Sequence, residues 1–244
     1  MAFGEKQNIV GKHFENLGHW LLGGELVRNE DGDICLDDHD TTVEVKSSCY
    51  ESSYGFRLKV EQIDEYKKLS RFRFERAWYA FFAYRNRRLR RGEVGDPTTE
   101  LARHTSPAEV ERYLAETLQW CLIVDLSVVE RWKELLPHST KSVPGHPGME
   151  TVDVKCEDVY PLANGGLYQG LKGLKLPTVE FGVLSGTIDG TMEADLYREY
   201  RVKFPLTFVL PYQDMRWVQG MLRERGFPLR YSAIREKAQL TFAT

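Results

Sequence analysis

Two short runs decide the fold: Asp33-Ile34-Cys35-Leu36 and Thr41-Thr42-Val43-Glu44-Val45-Lys46, joined by Asp37-Asp38-His39-Asp40. Each is apolar at alternate positions and bounded by turn-forming residues, the pattern of a β-hairpin. Side chains on a strand alternate between its faces. Val43 and Val45 therefore share one face, and Glu44 and Lys46 share the other. On the partner strand Ile34 and Leu36 face the core, which puts Asp33 opposite and within reach of Glu44. Two carboxylates converging beside one lysine are a poor choice for structure alone. They are a good choice for a hard divalent cation, because Mg²⁺ takes oxygen ligands and keeps several waters. Such an ion neutralises charge on a phosphoryl oxygen and makes a bound water a better nucleophile. A neighbouring lysine can position or deprotonate that water, or stabilise developing negative charge; the sequence does not choose among these roles for Lys46.

On the N-terminal side, Val10, Phe14, Leu17 and Leu21 form one apolar stripe, predicting a helix over Glu5 to Leu22 that stops at Gly23-Gly24. A short strand is expected at Glu25 to Arg28. On the C-terminal side, residues Leu58 to Leu69 suit a second helix. Arg76 to Arg85 is apolar without alternation, as in a strand buried on both faces. Ser106-Pro107-Ala108-Glu109 is a capping box with proline at the first helical position, and Ser127-Val128-Val129-Glu130 is a second box. Between them Leu118 to Leu126 reads as another buried strand. This order predicts an α/β core, a mixed sheet flanked by helices, over residues 1–136. Residues 137–148 hold three prolines and two glycines and read as a connection. Residues 149–244 are expected to form an α+β extension packed on the core, with strands near Thr151 to Lys155, Thr178 to Leu184 and Leu206 to Leu210 and a helix over Gln213 to Arg225.

An acidic residue followed, on the next strand, by Glu-x-Lys resembles the PD-(D/E)xK nuclease superfamily, which includes restriction enzymes, Holliday-junction resolvases and Mrr-like nucleases. Several members carry a glutamate on the first helix in a Gly-x-x-x-Glu setting, and Gly11-Lys12-His13-Phe14-Glu15 fits it. Many carry a glutamine on the helix after the Glu-x-Lys strand, where Gln62 stands. The resemblance covers residues 9 to 70 well and 71 to 136 only by the order of elements; the C-terminal hundred residues lie outside it. It implies a restriction-endonuclease-like core and an Mg²⁺- (or Mn²⁺-) dependent DNA endonuclease. Asp33, Glu44 and Glu15 would hold the metal, with Lys46 and Gln62 completing the catalytic set. One departure is that Gly32, not proline, precedes Asp33. Asp31, Asp37, Asp38 and Asp40 crowd the same hairpin, and Asp37 is the alternative to Asp33 as ligand.

Charge distribution points the same way. The chain of 244 residues has a net charge of −3, yet Lys67 to Arg91 holds ten basic residues against Glu75 alone, a local charge of +9. Lys67, Lys68, Arg71, Arg73, Arg85, Arg87, Arg88, Arg90 and Arg91 are the candidates for tracking a phosphate backbone. Duplex cutting needs two active sites, so a homodimer is expected. The long C-terminal part favours a restriction-like enzyme whose extension aids target recognition over a junction resolvase. A nuclease-fold DNA-binding or assembly subunit without catalysis is a further alternative, as is an RNA or nucleotide phosphodiesterase using the same site.

Other chemistry has little support. The longest apolar stretch, Ala77 to Tyr84, is far short of the roughly 20 residues of a membrane helix. The four cysteines form no CxxC pair, which suits a reduced, cytoplasmic protein. The histidines show no HExxH spacing, and the glycines at 165, 166, 170 and 173 are not followed by Lys-Ser/Thr, so a P-loop is excluded. Val152-Asp153-Val154-Lys155 repeats the acid-x-Lys pattern but lacks a preceding acidic strand. Trp78, Tyr79, Phe81 and Phe82 read as core.

Overall fold

The computed structural model describes residues 2–29, 32–36, 39–52, 55–72, 74–86, 101, 103–143, 146–164, 181–194 and 198–227. Strands β1 (Glu25–Asn29), β2 (Gly32–Leu36), β3 (Thr41–Cys49), β5 (Arg76–Tyr84), β6 (Leu118–Asp125), β9 (Phe181–Ala194) and β10 (Arg198–Pro211) build a seven-stranded mixed sheet of order β1-β2-β3-β5-β6-β10-β9. β3 runs parallel to β5, and β6 parallel to β10; the other neighbours are antiparallel. A second, antiparallel sheet joins β4 (Phe56–Lys59), β8 (His146–Val154) and β7 (His138–Val143).

Alternation on β5 explains the layering. Trp78, Ala80, Phe82 and Tyr84 enter one apolar cluster; Ala77, Tyr79, Phe81 and Ala83 enter another on the opposite face. The first cluster is closed by helices α1 (Phe3–Leu22), α3 (Pro107–Thr117) and α6 (Tyr212–Glu224). The second is closed by α2 (Val60–Phe72), α4 (Leu126–Leu135), α5 (Cys156–Ala163) and the small sheet. Burial on both faces is why this strand has no polar alternation. All four cysteines are buried, and none is in a disulfide. Among the described residues no helix is long and apolar enough to cross a membrane.

The α/β class and the flanked mixed sheet agree with the sequence expectation; four details of the expectation change. β9 and β10 are not an extension laid on the core: Leu206 to Val209 pair in parallel with Cys121 to Val124, so this long hairpin completes the main sheet. The proline-rich stretch 137–148 contains most of a β-hairpin rather than a plain connection, with His138 to Lys141 paired to Met149 to Val152. Leu58 and Lys59 belong to a strand, because Phe56-Arg57-Leu58-Lys59 alternates and pairs with β8, and α2 begins at Val60. Helix α4 starts one residue after Asp125, whose carboxylate accepts the Ser127 N–H at 2.9 Å, so Asp125 is the cap rather than Ser127. The first part of the expected strand from Thr178 lies outside the described residues.

Two glycines position the first helix and hairpin. A Cβ on Gly18 would stand 2.9 Å from Ile34 Cδ1 and 3.4 Å from Val45 Cγ2, so α1 lies close over β2 and β3 at this turn. Gly32 has φ +110°, and a Cβ there would stand 2.3 Å from Thr42 Oγ1. Proline fixes φ near −65°. The backbone ahead of Asp33 therefore takes glycine and is closed to proline.

Candidate active site

The β2–β3 register pairs Ile34 with Val43, and this places Asp33 at the level of Glu44. Asp33 Oδ2 accepts the Val45 N–H at 2.7 Å, a bond from side chain to neighbouring strand that fixes the carboxylate at the hairpin. Glu44 and Lys46 share a face of β3, as alternation requires, and form a hydrogen-bonded ion pair through Glu44 Oε1. Lys46 Nζ also donates to Gln62 Oε1 at 3.1 Å, so the first turn of α2 closes the cluster from above. Glu44 is buried, whereas Lys46 keeps 20% of its side chain exposed.

A further residue belongs to this network. Tyr66, one helical turn after Gln62, donates its hydroxyl to Glu44 Oε2, and Gln62 Nε2 lies 3.4 Å from the same hydroxyl. Both oxygens of Glu44 are therefore engaged, one by Lys46 and one by Tyr66. Burial, and next the Glu44 charge, push the Tyr66 hydroxyl far above its ordinary range, so it acts as a donor. The i, i+4 spacing of Gln62 and Tyr66 on one helix face was the signal in the sequence that could have revealed it.

The acidic character of the site is visible at Asp33. Burial first, then the charges of Glu44 and Glu15, raise its carboxyl to about 7, against the opposing pull of the Val45 N–H and Lys46. Glu15, on α1, is the least of the charges acting on Asp33. Tyr79 is in register with Glu44, and its buried hydroxyl has no partner among the described residues. Asp33 and Glu44 are carboxylates of the kind whose oxygens suit a hard cation such as Mg²⁺ or Mn²⁺. Among the described residues no three acidic, histidine or cysteine side chains already stand at metal-holding spacing. One oxygen of Glu44 is instead taken by the Lys46 ammonium.

The remaining candidates divide. Asp37, the alternative ligand, lies outside the described residues, as do Asp31, Asp38, Arg73, Arg87, Arg88, Arg90 and Arg91. The side chain of Arg71 is likewise not described. Lys68 is exposed, but Lys67 pairs with Glu130 at 2.9 Å and Arg85 with Glu51 at 3.2 Å. Arg76 is tied to Asp214 at 2.9 Å. Part of the basic window is thus neutralised locally rather than presented to a polyanion. The second acid-x-Lys motif is structural: Asp153 binds Arg57 across the β4–β8 ladder at 3.0 Å. Trp78, Tyr79, Phe81 and Phe82 are core.

Comparison with protein-family models, with curated proteins and with solved structures gives no match to this chain. The functional reading accordingly rests on the residues of the site.

Proposed function

We propose that the chain is an endonuclease that hydrolyses phosphodiester bonds with Mg²⁺ or Mn²⁺ at the Asp33–Glu44–Lys46 cluster. The observation that carries this reading is the meeting of Asp33, Glu44, Lys46 and Gln62, from two strands and a helix, in one cluster with Glu15 acting on Asp33. Asp33, Glu44 and Glu15 would hold the ion, which supplies charge neutralisation at a phosphoryl oxygen and a more acidic bound water. Tyr66 keeps one oxygen of Glu44 engaged and so orients the carboxylate. Gln62 holds the Lys46 ammonium at the rim of the site. From there Lys46 can stabilise negative charge building on the phosphate or hold the attacking water. Asp33, anchored by the Val45 N–H, is kept at one position whatever its protonation state.

DNA is the substrate class favoured by the superfamily resemblance, and a homodimer would provide the two sites that duplex cutting requires. A restriction-like enzyme whose C-terminal part aids target recognition stays the first form of this reading and a junction resolvase its alternative; β9, β10 and α6 of that part also complete the core. Substrate choice is tested with a panel of linear duplex, four-way junction, single-stranded DNA and RNA, each with Mg²⁺ and with EDTA. Metal-dependent cutting of one or more DNA forms supports the proposal. Binding of these substrates with no cutting in either metal favours the assembly-subunit alternative, and cutting confined to RNA reassigns the substrate.

A further inference from the structure

Tyr79 carries a hydroxyl that the core does not use. β3 and β5 run parallel with Glu44 and Tyr79 in register, so the two side chains rise side by side from one face, on strands about 5 Å apart. On its other flank Tyr79 is in register with Val124, which has no side-chain acceptor. The residue is 1% exposed; its ring stacks on Phe81 at 5.9 Å and meets the Tyr66 ring edge to face at 5.9 Å. These contacts need the ring alone, and Phe81 makes its own without a hydroxyl. The Tyr79 hydroxyl is buried and has no hydrogen-bond partner among the described residues.

Burying an unpaired hydroxyl is unfavourable, and such groups are rare in folded proteins. The neighbours acting on this one are acidic. Burial first, then the charges of Glu44 and Asp33, raise it well above the ordinary tyrosine range, so it keeps its proton and acts as a donor. It is shielded from solvent, so an acceptor has to come from inside the cluster. Glu44 is the acceptor at its level, and both Glu44 oxygens are already taken, Oε1 by Lys46 and Oε2 by Tyr66. Three donors thus surround one carboxylate, from its own strand, from α2 and from the neighbouring strand, and two of them are in use.

We infer that Tyr79 is a positioning residue, the reserve donor to Glu44: its hydroxyl takes a Glu44 oxygen when Lys46 or Tyr66 lets go of it. The inference rests on the site proposed above, where Lys46 leaves Glu44 to face a phosphate. Tyr79 then keeps the carboxylate from being held by Tyr66 alone. A carboxylate oxygen accepts more than one partner, so a hydroxyl and a cation can share it. The exchange of donors itself needs no metal and is measured without one.

Urea unfolding of the full-length protein is followed in EDTA at pH 8 for wild type, Tyr79→Phe, Lys46→Met and the Lys46→Met/Tyr79→Phe pair. The same cycle on Tyr66→Phe runs alongside and carries the test if Lys46→Met does not fold. In the wild-type background Tyr79→Phe deletes an unpaired hydroxyl and is expected to leave the folding equilibrium unchanged or shift it toward the folded state. Where Lys46 or Tyr66 no longer serves Glu44, the same deletion is expected to lower the folding equilibrium constant by about five-fold or more. A role in packing alone predicts one effect in every background, because the ring is retained in all of them. That outcome overturns the inference. So does a loss of stability on Tyr79→Phe in the wild-type background, which would mean that the hydroxyl is already paired. A background-dependent effect in a protein that cuts no DNA would remove the proposed activity and leave the reserve donor standing; cutting without background dependence would do the reverse.

Discussion

Glu44 is held at both ends: Lys46 takes one carboxylate oxygen and Tyr66 the other. On the proposed reading, a cation would take Oε1 as the Lys46 ammonium moves aside to face a phosphate. The same exchange separates what each residue does, so single substitutions have distinguishable outcomes.

Lys46→Ala removes the ammonium without creating a cavity in the core, since the side chain sits at the rim. The expected result is a cleavage rate lower by about 10²-fold or more, from lost charge stabilisation. Substrate binding should stay near wild type in a gel-shift or anisotropy titration. Retention of cleavage would remove Lys46 from the catalytic set.

Tyr66→Phe deletes one hydroxyl and keeps the ring. Outer-shell partners of metal-binding groups typically contribute about 10–100-fold to affinity or activity. Mn²⁺ affinity, read by calorimetry, is expected to weaken within that range while the fold is retained. An unchanged affinity and rate would make Tyr66 a packing residue only.

Asp33 gives a pH signature in metal-free protein. Its carboxyl is raised from the ordinary value near 3.8 to about 7 by burial and by Glu44 and Glu15. The folded state therefore holds a proton that the unfolded chain has released between these values. Stability contributed by that proton is present at low pH and is lost as pH rises through 7. Asp33→Asn keeps an oxygen for the Val45 N–H and removes the charge. It is expected to raise metal-free stability at pH 8 by about 1–3 kcal/mol and to flatten the decline measured by urea unfolding between pH 5 and pH 8. It should also abolish Mn²⁺ binding. A variant less stable than wild type at pH 8 would contradict this view of the cluster.

Gly32→Pro places a proline ahead of Asp33 and is expected to harm this chain. Positive φ is closed to proline, and added atoms meet Thr42 Oγ1. Loss of about 2 kcal/mol or more is expected in thermal or urea unfolding, with cleavage falling along with Asp33 placement. Wild-type stability would mean that the turn tolerates another backbone path.

How much was legible in the sequence follows from the range of the signals. The hairpin of Asp33 and Glu44 and the stripe of α1 obey periods of 2 and 3.6, which a local window displays; Gln62 is singled out only through the resemblance. Tyr66 was passed over because a tyrosine on an amphipathic helix face reads as core, and its hydroxyl partner lies 22 residues away on a strand. Leu58 and Lys59 read as the start of α2 because the strand Phe56–Lys59 has only four alternating residues, too few to separate from a helix start. His138 to Val143 hid its strand because its sequence has no apolar alternation and prolines flank it. The parallel pairing of β10 with β6 joins Leu206 to Cys121, a relation no local pattern encodes. That pairing turned an expected extension into part of the main sheet.

The most direct measurement follows conversion of supercoiled plasmid to nicked and linear forms by purified protein in Mg²⁺, in Mn²⁺ and in EDTA, with Glu44→Gln and Lys46→Ala alongside. The account predicts cutting in the metals, none in EDTA, and loss in both variants with their unfolding transitions intact. Cutting that persists in EDTA or in Glu44→Gln, or wild-type protein that leaves the plasmid intact in both metals, would contradict it.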